Sequence, residues 1–212
     1  GYCFAGNAAI AGCADVIIAT KDSSMGMGGP AMIEGGGLGQ YHPKDIGPAK
    51  TLAKEGVIDI LVENEEEAVA IAKKYLSYFQ GELSTWKAPK QEELYTILPE
   101  DRRYAYDVNA IINTIADINS VLELRAQFAK NMVTALIRIE GKPYGLIANS
   151  TRHLGGAIDS DAADKAARFL QLCNAFQLPI ISLCDTPGFM VGPEHEAKGL
   201  IRHSSRLFLS AA

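Results

Sequence analysis

No apolar run in this chain reaches the ~18 residues of a membrane-spanning helix, so no membrane partner is expected. Nor is a signal peptide read at its start. The four cysteines, Cys3, Cys13, Cys173 and Cys184, form no CxxC pair, which removes the common zinc and dithiol patterns. Cys13, Cys173 and Cys184 fall in apolar helix or strand patterns and read as buried free thiols, which fits a reducing, cytoplasmic compartment. His42, His153, His195 and His203 show neither HxxxH nor HExxH spacing, so no metal site is expected. There is no GxSxG nucleophile elbow. GxGxxG after a strand and the Walker loop are missing too, which weakens any nucleotide-fold reading. Basic character is lacking as well: the net charge of −5 argues against nucleic acid as the main partner. The first residue is Gly1, not Met, and the apolar helical pattern from Gly199 to Ala212 has no stop signal. The chain therefore reads as an internal piece of a longer polypeptide.

What the chain has is glycine, 20 residues of it, gathered into clusters at strand and helix boundaries. The most informative stretch is 181–206. An apolar run, Leu178 to Cys184, breaks at Asp185-Thr186-Pro187-Gly188-Phe189. Gly192 follows, and a helical pattern begins near Glu196. This predicts a buried strand, a tight turn, a glycine-rich loop and a helix start. Such a junction can leave backbone N–H groups free for a ligand oxygen. A related arrangement opens the chain, where Ala5-Gly6-Asn7-Ala8 starts a small-residue helix feeding a strand at 13–20.

Residues 1–80 form a first unit. Ser24 to Met27 reads as a short strand, followed by a glycine-rich segment from Gly26 to Gly39. Val57 to Val62 reads as a strand. Asn64 caps a helix whose first turn holds Glu65, Glu66 and Glu67, where negative charge is favoured. Val69, Ala72, Tyr75 or Leu76, and Phe79 are expected on its buried face. Residues 81–106 are a connector marked by Pro89, Pro99 and the charged run at 90–93. Its apolar residues, Trp86, Leu94, Tyr95, Ile97 and Leu98, suggest that it packs on a surface. Residues 107–212 form the second unit. Asp107 caps a helix to Ile115, 121–124 is a strand, and 133–148 is a hairpin turning at Gly141-Lys142-Pro143. Asp159 or Ser160 caps a long helix to Phe176. Strands alternating with helices in both units predict an α/β fold, layered or spiral.

Several features have two readings. Gly28-Gly29-Pro30 and Gly35-Gly36-Gly37 are either flexible loop or places where main chain closely approaches an extended ligand. Gly6 and Asn7 are either part of a tightly packed helix or a pair of N–H donors for an oxyanion. Glu34 and Asp185, the carboxylates nearest the glycine loops, read as loop-fixing acceptors before they read as bases. Lys165 and Arg168 on the long helix read as surface charges.

Taken in order, these segments resemble the carboxyltransferase component of biotin-dependent acyl-CoA carboxylases, within the crotonase-like superfamily. The resemblance covers nearly the whole chain. It is carried by Ala5-Gly6-Asn7-Ala8, Met27-Gly28-Gly29-Pro30, Gly56-Val57-Ile58-Asp59, Phe128-Ala129-Lys130-Asn131, Gly145 to Asn149 and Lys165-Ala166-Ala167-Arg168-Phe169. Above all it is carried by Leu178 to Phe189 with Gly199-Leu200-Ile201-Arg202-His203. It implies two crotonase-like ββα-spiral subdomains, each incomplete here. Residues 1–80 would be the C-terminal part of an acyl-CoA-binding subdomain. Residues 107–212 would be the N-terminal part of a carboxybiotin-binding one.

The resemblance further implies that the amides of Gly6 and Asn7 hold the thioester oxygen. Many relatives have glycine where Asn7 stands; the donor survives, but the side chain narrows or re-polarises the pocket. Gly28, Gly29, Pro30 and Gly35 to Gly37 would line the coenzyme A and acyl channel. Pro187, Gly188 and Phe189 would lie on the biotin side. A second oxyanion pair would follow Ala212. The implied partners are a biotin carboxylase and a biotin carboxyl carrier, as domains or subunits. The implied assembly is a homo-oligomer, at least a dimer, with the active site between subunits. A biotin-dependent decarboxylase running the transfer in reverse, a CoA hydratase or isomerase with Glu34 as base, and a noncatalytic assembly segment remain alternatives.

Overall fold

The computed structural model describes residues 1–101 and 104–212; the part of the connector at 102–103 lies outside the described residues. The chain divides into two compact units, Gly1–Lys74 and Tyr75–Ala212.

The first unit is built on two short parallel strand pairs. β1 (Tyr2–Phe4) runs into α1 (Gly6–Gly12); β2 (Ile18–Thr20) and β3 (Ser24–Gly26) follow. α2 (Pro30–Gly35), α3 (Ala49–Lys54) and β4 (Ile60–Val62) complete the set before α4 (Glu65–Ser77), within which the division between units falls. β1 pairs with β3 in the register Tyr2↔Ser24, Cys3↔Met25, Phe4↔Gly26. β2 pairs with β4 through Ile18↔Ile60 to Thr20↔Val62. β1 was not expected from the sequence, and β2 and β4 are shorter than the strands read at 13–20 and Val57–Val62, because a strand extends only where its partner does. Ala49, Ala53 and Ile58 are buried, with Ile17, Ala19, Leu52 and Leu61 packed on them. Asn64 caps α4 as expected, its Oδ1 accepting from Glu67 N at 2.9 Å. Of the face expected for α4, Ala72, Tyr75 and Phe79 are half-buried, and the departure is at Val69. Val69 and Leu76 are exposed, and Tyr78, just past the helix end, is the buried aromatic.

In the second unit the segment after α4 is tied to the sheet by Arg138. This buried guanidinium donates to the carbonyls of Ser77, Gly81 and Gly141 and lies over the Tyr78 ring. α5 (Leu94–Ile97) is a single turn in the connector. Of the apolar side chains expected to pack, Leu94 and Ile97 are half-buried while Trp86, Tyr95 and Leu98 are exposed, and Tyr106 at the connector's end packs on the main core. Polar bonds hold it as well, Ile118 N to Lys87 O at 2.8 Å and Gln91 Nε2 to Thr114 O at 2.6 Å.

α6 (Val108–Ile115) starts at Asp107, whose side chain accepts from Asn109 N. β5 (Leu122–Leu124), β6 (Met132–Ile139), β7 (Lys142–Asn149) and β8 (Ile180–Leu183) form one sheet in that order. β5, β6 and β7 are antiparallel neighbours; β8 joins β7 in parallel after the crossover helix α7 (Ser160–Ala175). The β6–β7 turn is fixed by Asp117, which accepts from the N–H groups of Glu140 and Gly141. α7 begins at Asp159, whose carboxylate accepts from Ala162 N at 2.9 Å. α6 and the sheet enclose the main core, with Ile112, Ala135, Ile137 and Leu146 at its centre. α7 lies so close to β7 that a methyl on Gly145 would meet the Cys173 sulfur at 2.4 Å. α8 (Pro193–Glu196) and α9 (Leu200–Ala211) end the chain.

Three expectations fail here. Cys173 is buried, but Cys13 and Cys184 are exposed. β8 is not a buried strand, since Ile180 and Ser182 face outward while Ile181 and Leu183 point in. Lys165 is not a surface charge: it is 1% exposed, and its ammonium donates to the carbonyls of Phe128 at 2.8 Å and Ala129 at 3.5 Å. Arg168 does lie at the surface.

Candidate functional site

In the first unit, two strand-to-helix junctions stand side by side. β1 and β3 are adjacent and parallel, and Ala5 N donates to Gly26 O at 3.0 Å beyond the last register pair. The chain then leaves β1 into α1 and β3 toward α2, so both turns lie at the carboxyl end of the same pair. This is where open α/β folds place ligands.

Gly6 and Asn7 are the first two residues of α1 and are exposed. The first turn of any helix leaves its N–H groups without intrahelical acceptors. Among the described residues no backbone acceptor is found for either. The approach is open: a methyl built on Gly6 would touch nothing within 4 Å. Ala5, which aims the turn, has φ 54° and ψ −127°, a strained backbone for a non-glycine residue. Two adjacent, uncrowded donors suit an oxyanion better than they suit a buried packing contact.

Gly28 and Gly29 do different things. A side chain at Gly29 would press on Phe4, whose Cβ is 3.3 Å from the ideal position, whereas Gly28 faces open space. Pro30 is the first residue of α2, where a missing N–H is harmless. Gly35 to Gly37 are not a flexible loop. Gly35 ends α2, and Gly37 at φ 71° lets Leu38 N reach Ile33 O and Gly37 N reach Glu34 O. That bond pair is a Schellman cap, and it accounts for Gly37 without any ligand. Glu34 accepts from Gln40 Nε2, so it fixes a loop, as its position suggested.

The second unit repeats the arrangement at the carboxyl ends of β7 and β8. Three amides of the Asp185–Gly192 loop are taken up within the fold, while among the described residues no acceptor is found for those of Thr186, Phe189, Val191 and Gly192. Gly188 N donates to Thr186 Oγ1, Met190 N to Ile158 O, and Asp185 N to Asn149 Oδ1. Pro187, Gly188 and Phe189 are held on the residues after β7: Ile158 N donates to Gly188 O, and Phe189 makes a bridge with Ile158. The Phe189 ring meets Phe208 of α9 edge-on, with centroids 5.6 Å apart.

One contact at this end was missed from sequence. Tyr106 Oη donates to Asp185 Oδ2 at 2.8 Å, and burial, helped by that carboxylate, pushes the phenol up to about 12. Seventy-nine positions separate the two, and no local pattern could link them.

Among the described residues no group of three metal-ligating side chains is found, and no helix is long and apolar enough to cross a membrane.

The Carboxyl transferase domain profile matches residues 1–211. The chain belongs to this family. This carboxyl transferase domain is 34% identical over 216 residues to the methylmalonyl-CoA carboxyltransferase 12S subunit of Propionibacterium freudenreichii subsp. shermanii, covering 98% of this chain and 41% of that one. It is 58% identical to a solved single-chain, multi-domain long-chain acyl-CoA carboxylase, with a TM-score of 0.96, covering 99% of this chain and 22% of that chain. The solved transcarboxylase 12S hexamer with hydrolysed methylmalonyl-coenzyme A bound matches at 32% identity and a TM-score of 0.87, over 99% of this chain and 43% of that chain. The α/β fold is thus that of known carboxyltransferases. The chain spans 38–42% of the length of the curated relatives it matches.

Proposed function

We propose that the protein carrying this chain transfers a carboxyl group from carboxybiotin to the α carbon of an acyl-CoA. The observation that carries the reading is the pair of open N–H donors at Gly6 and Asn7, set beside the Gly28–Pro30 turn. Forming a bond at the α carbon of a thioester requires loss of a proton, and negative charge then collects on the thioester oxygen. Two amides aimed at that oxygen stabilise the charge without any titrating side chain. Carboxybiotin would supply the carboxyl group and, once relieved of it, a group able to take the α-proton.

In this reading the Gly28, Gly29, Pro30 and Gly35 to Gly37 segment lines the channel for coenzyme A and the acyl chain. The openness at Gly28 and Gly35 fits a close main-chain approach. Asn7 keeps its donor and adds a polar side chain at the pocket. Met27, Met32 and Leu38, all exposed, provide apolar surface along that segment. This surface and the 58%-identical long-chain enzyme favour a long acyl chain. Pro187, Gly188 and Phe189 face the biotin.

The two units correspond to two crotonase-like ββα spirals. The active site forms between the acyl-CoA subdomain of one subunit and the biotin subdomain of another. The second oxyanion pair, a biotin carboxylase and a biotin carboxyl carrier come from elsewhere in the assembly. Binding of a long-chain acyl-CoA to the full-length protein, weakened by Gly28→Ala, tests the placement of the thioester; undiminished binding would move it elsewhere.

A further inference from the structure

The loops that follow β7 and β8 are both fastened to one short segment. Tyr106 Oη donates to the Asp185 carboxylate at 2.8 Å. Tyr106 N donates to Thr151 Oγ1 at 3.3 Å, and Arg152 pairs with Asp107 at 3.0 Å. Residues 106–107 therefore strap the carboxyl ends of two parallel strands from outside the sheet. Asp185 is the hub. Its N–H meets Asn149 Oδ1 at 3.3 Å, and its carbonyl packs so tightly on Gly156 that a methyl there would lie 2.5 Å away. Asp185 also opens the segment that carries Pro187, Gly188 and Phe189. Yet its carboxylate is exposed and is aimed by a phenol on a distant segment. Ordinary loop closure needs no such bond, because Thr186, Asn149 and Ile158 already close it.

We propose that Tyr106 is a positioning residue: through the Asp185 carboxylate it holds the Asp185–Phe189 loop in the geometry that receives the ureido ring of biotin. The proposal rests on the carboxyl-transfer reading above. It separates two functions kinetically, since the strap touches the biotin side and not the Gly6–Asn7 donors.

The test is steady-state transfer by the full-length protein with free biotin and an acyl-CoA varied in turn. Tyr106→Phe removes only the hydroxyl, and loss of a hydrogen bond to a charged group should raise KM for biotin about ten-fold. KM for acyl-CoA should stay within about two-fold, the scatter of a site left untouched. Asp185→Ala should behave alike, and the double variant should be no worse than either single one. Asp185→Asn keeps an acceptor oxygen and should recover most of the loss. An unchanged biotin KM in Tyr106→Phe, or equal rises in both KM values, would overturn the proposal. If Tyr106→Phe does not fold, equal biotin KM values for Asp185→Ala and Asp185→Asn would overturn it instead. Absence of any biotin-dependent transfer in the unaltered protein would overturn both this proposal and the function it rests on.

Discussion

Ala5 and Gly26 are joined by a backbone hydrogen bond of 3.0 Å that ties two strand ends together. Because of it, the turn at Gly6 and the turn at Gly28 leave the same edge of the β1–β3 pair. The bond turns two glycine motifs, about 20 residues apart in sequence, into neighbours, a parallel-strand geometry that binds ligands in many α/β folds.

Gly6→Pro should abolish transfer. Gly6 is the first helical residue, where proline itself fits, but its ring also disfavours the φ 54°, ψ −127° of Ala5, so the substitution removes one donor and distorts the turn together. Loss of an oxyanion donor costs about 3 kcal/mol, a rate fall of two to three powers of ten. Gly6→Ala keeps the N–H and should lose far less. Rate measurement with a melting curve for each variant separates chemistry from folding.

Gly28→Ala and Gly29→Ala should part company. A methyl on Gly28 meets no atom, so stability should move by less than about 0.5 kcal/mol while KM for acyl-CoA rises. A methyl on Gly29 pushes against Phe4, and the cost should appear as about 1 kcal/mol of lost stability. Denaturant titration and acyl-CoA kinetics read the two effects independently.

Lys165 should make stability rise with pH. Burial holds its amine down to about 8 despite the attraction of Glu123, whereas the unfolded chain keeps that proton to 10.5. Between those values the unfolded state binds more protons, so ascending pH favours the folded state by about 1 kcal/mol per unit. Below about 8 both states are charged, and the slope vanishes. The difference in unfolding free energy between the native protein and Lys165→Met, followed from pH 7 to 10, isolates this group. Lys165→Met also strands the carbonyls of Phe128 and Ala129, which should cost about 2 kcal/mol near neutrality.

Gly145→Ala should loosen α7 from the sheet. The Cys173 sulfur and the Phe169 ring already fill the space a methyl would take. Overpacking of this kind costs about 2 kcal/mol and should lower the melting temperature.

Much of this fold was legible because its signals are local. Asn64, Asp107 and Asp159 cap helices through bonds to residues only two or three positions away, and Gly141 marks its own hairpin turn. The resemblance to carboxyltransferases was also legible, since it lies in the order of short motifs. What stayed hidden depends on distant chain. Lys165 looks like a solvated helix charge until the loop at 125–131 covers it. Ile180 and Ser182 belong to an apolar run, and no run reveals which of its faces is covered. The Schellman cap at Gly37 and the phenol on Asp185 were missed for different reasons. The cap was local, but three consecutive glycines disguised it as a loop. The phenol comes from another element altogether.

The most direct measurement follows decarboxylation of methylmalonyl-CoA or malonyl-CoA by the full-length protein, with and without free biotin. The reaction is the proposed transfer run backwards, so it uses the same donors at Gly6 and Asn7. Product formed only when biotin is present, and lost in Gly6→Pro, is the predicted result. Turnover independent of biotin, or no turnover and no binding of coenzyme A thioesters, would contradict the account.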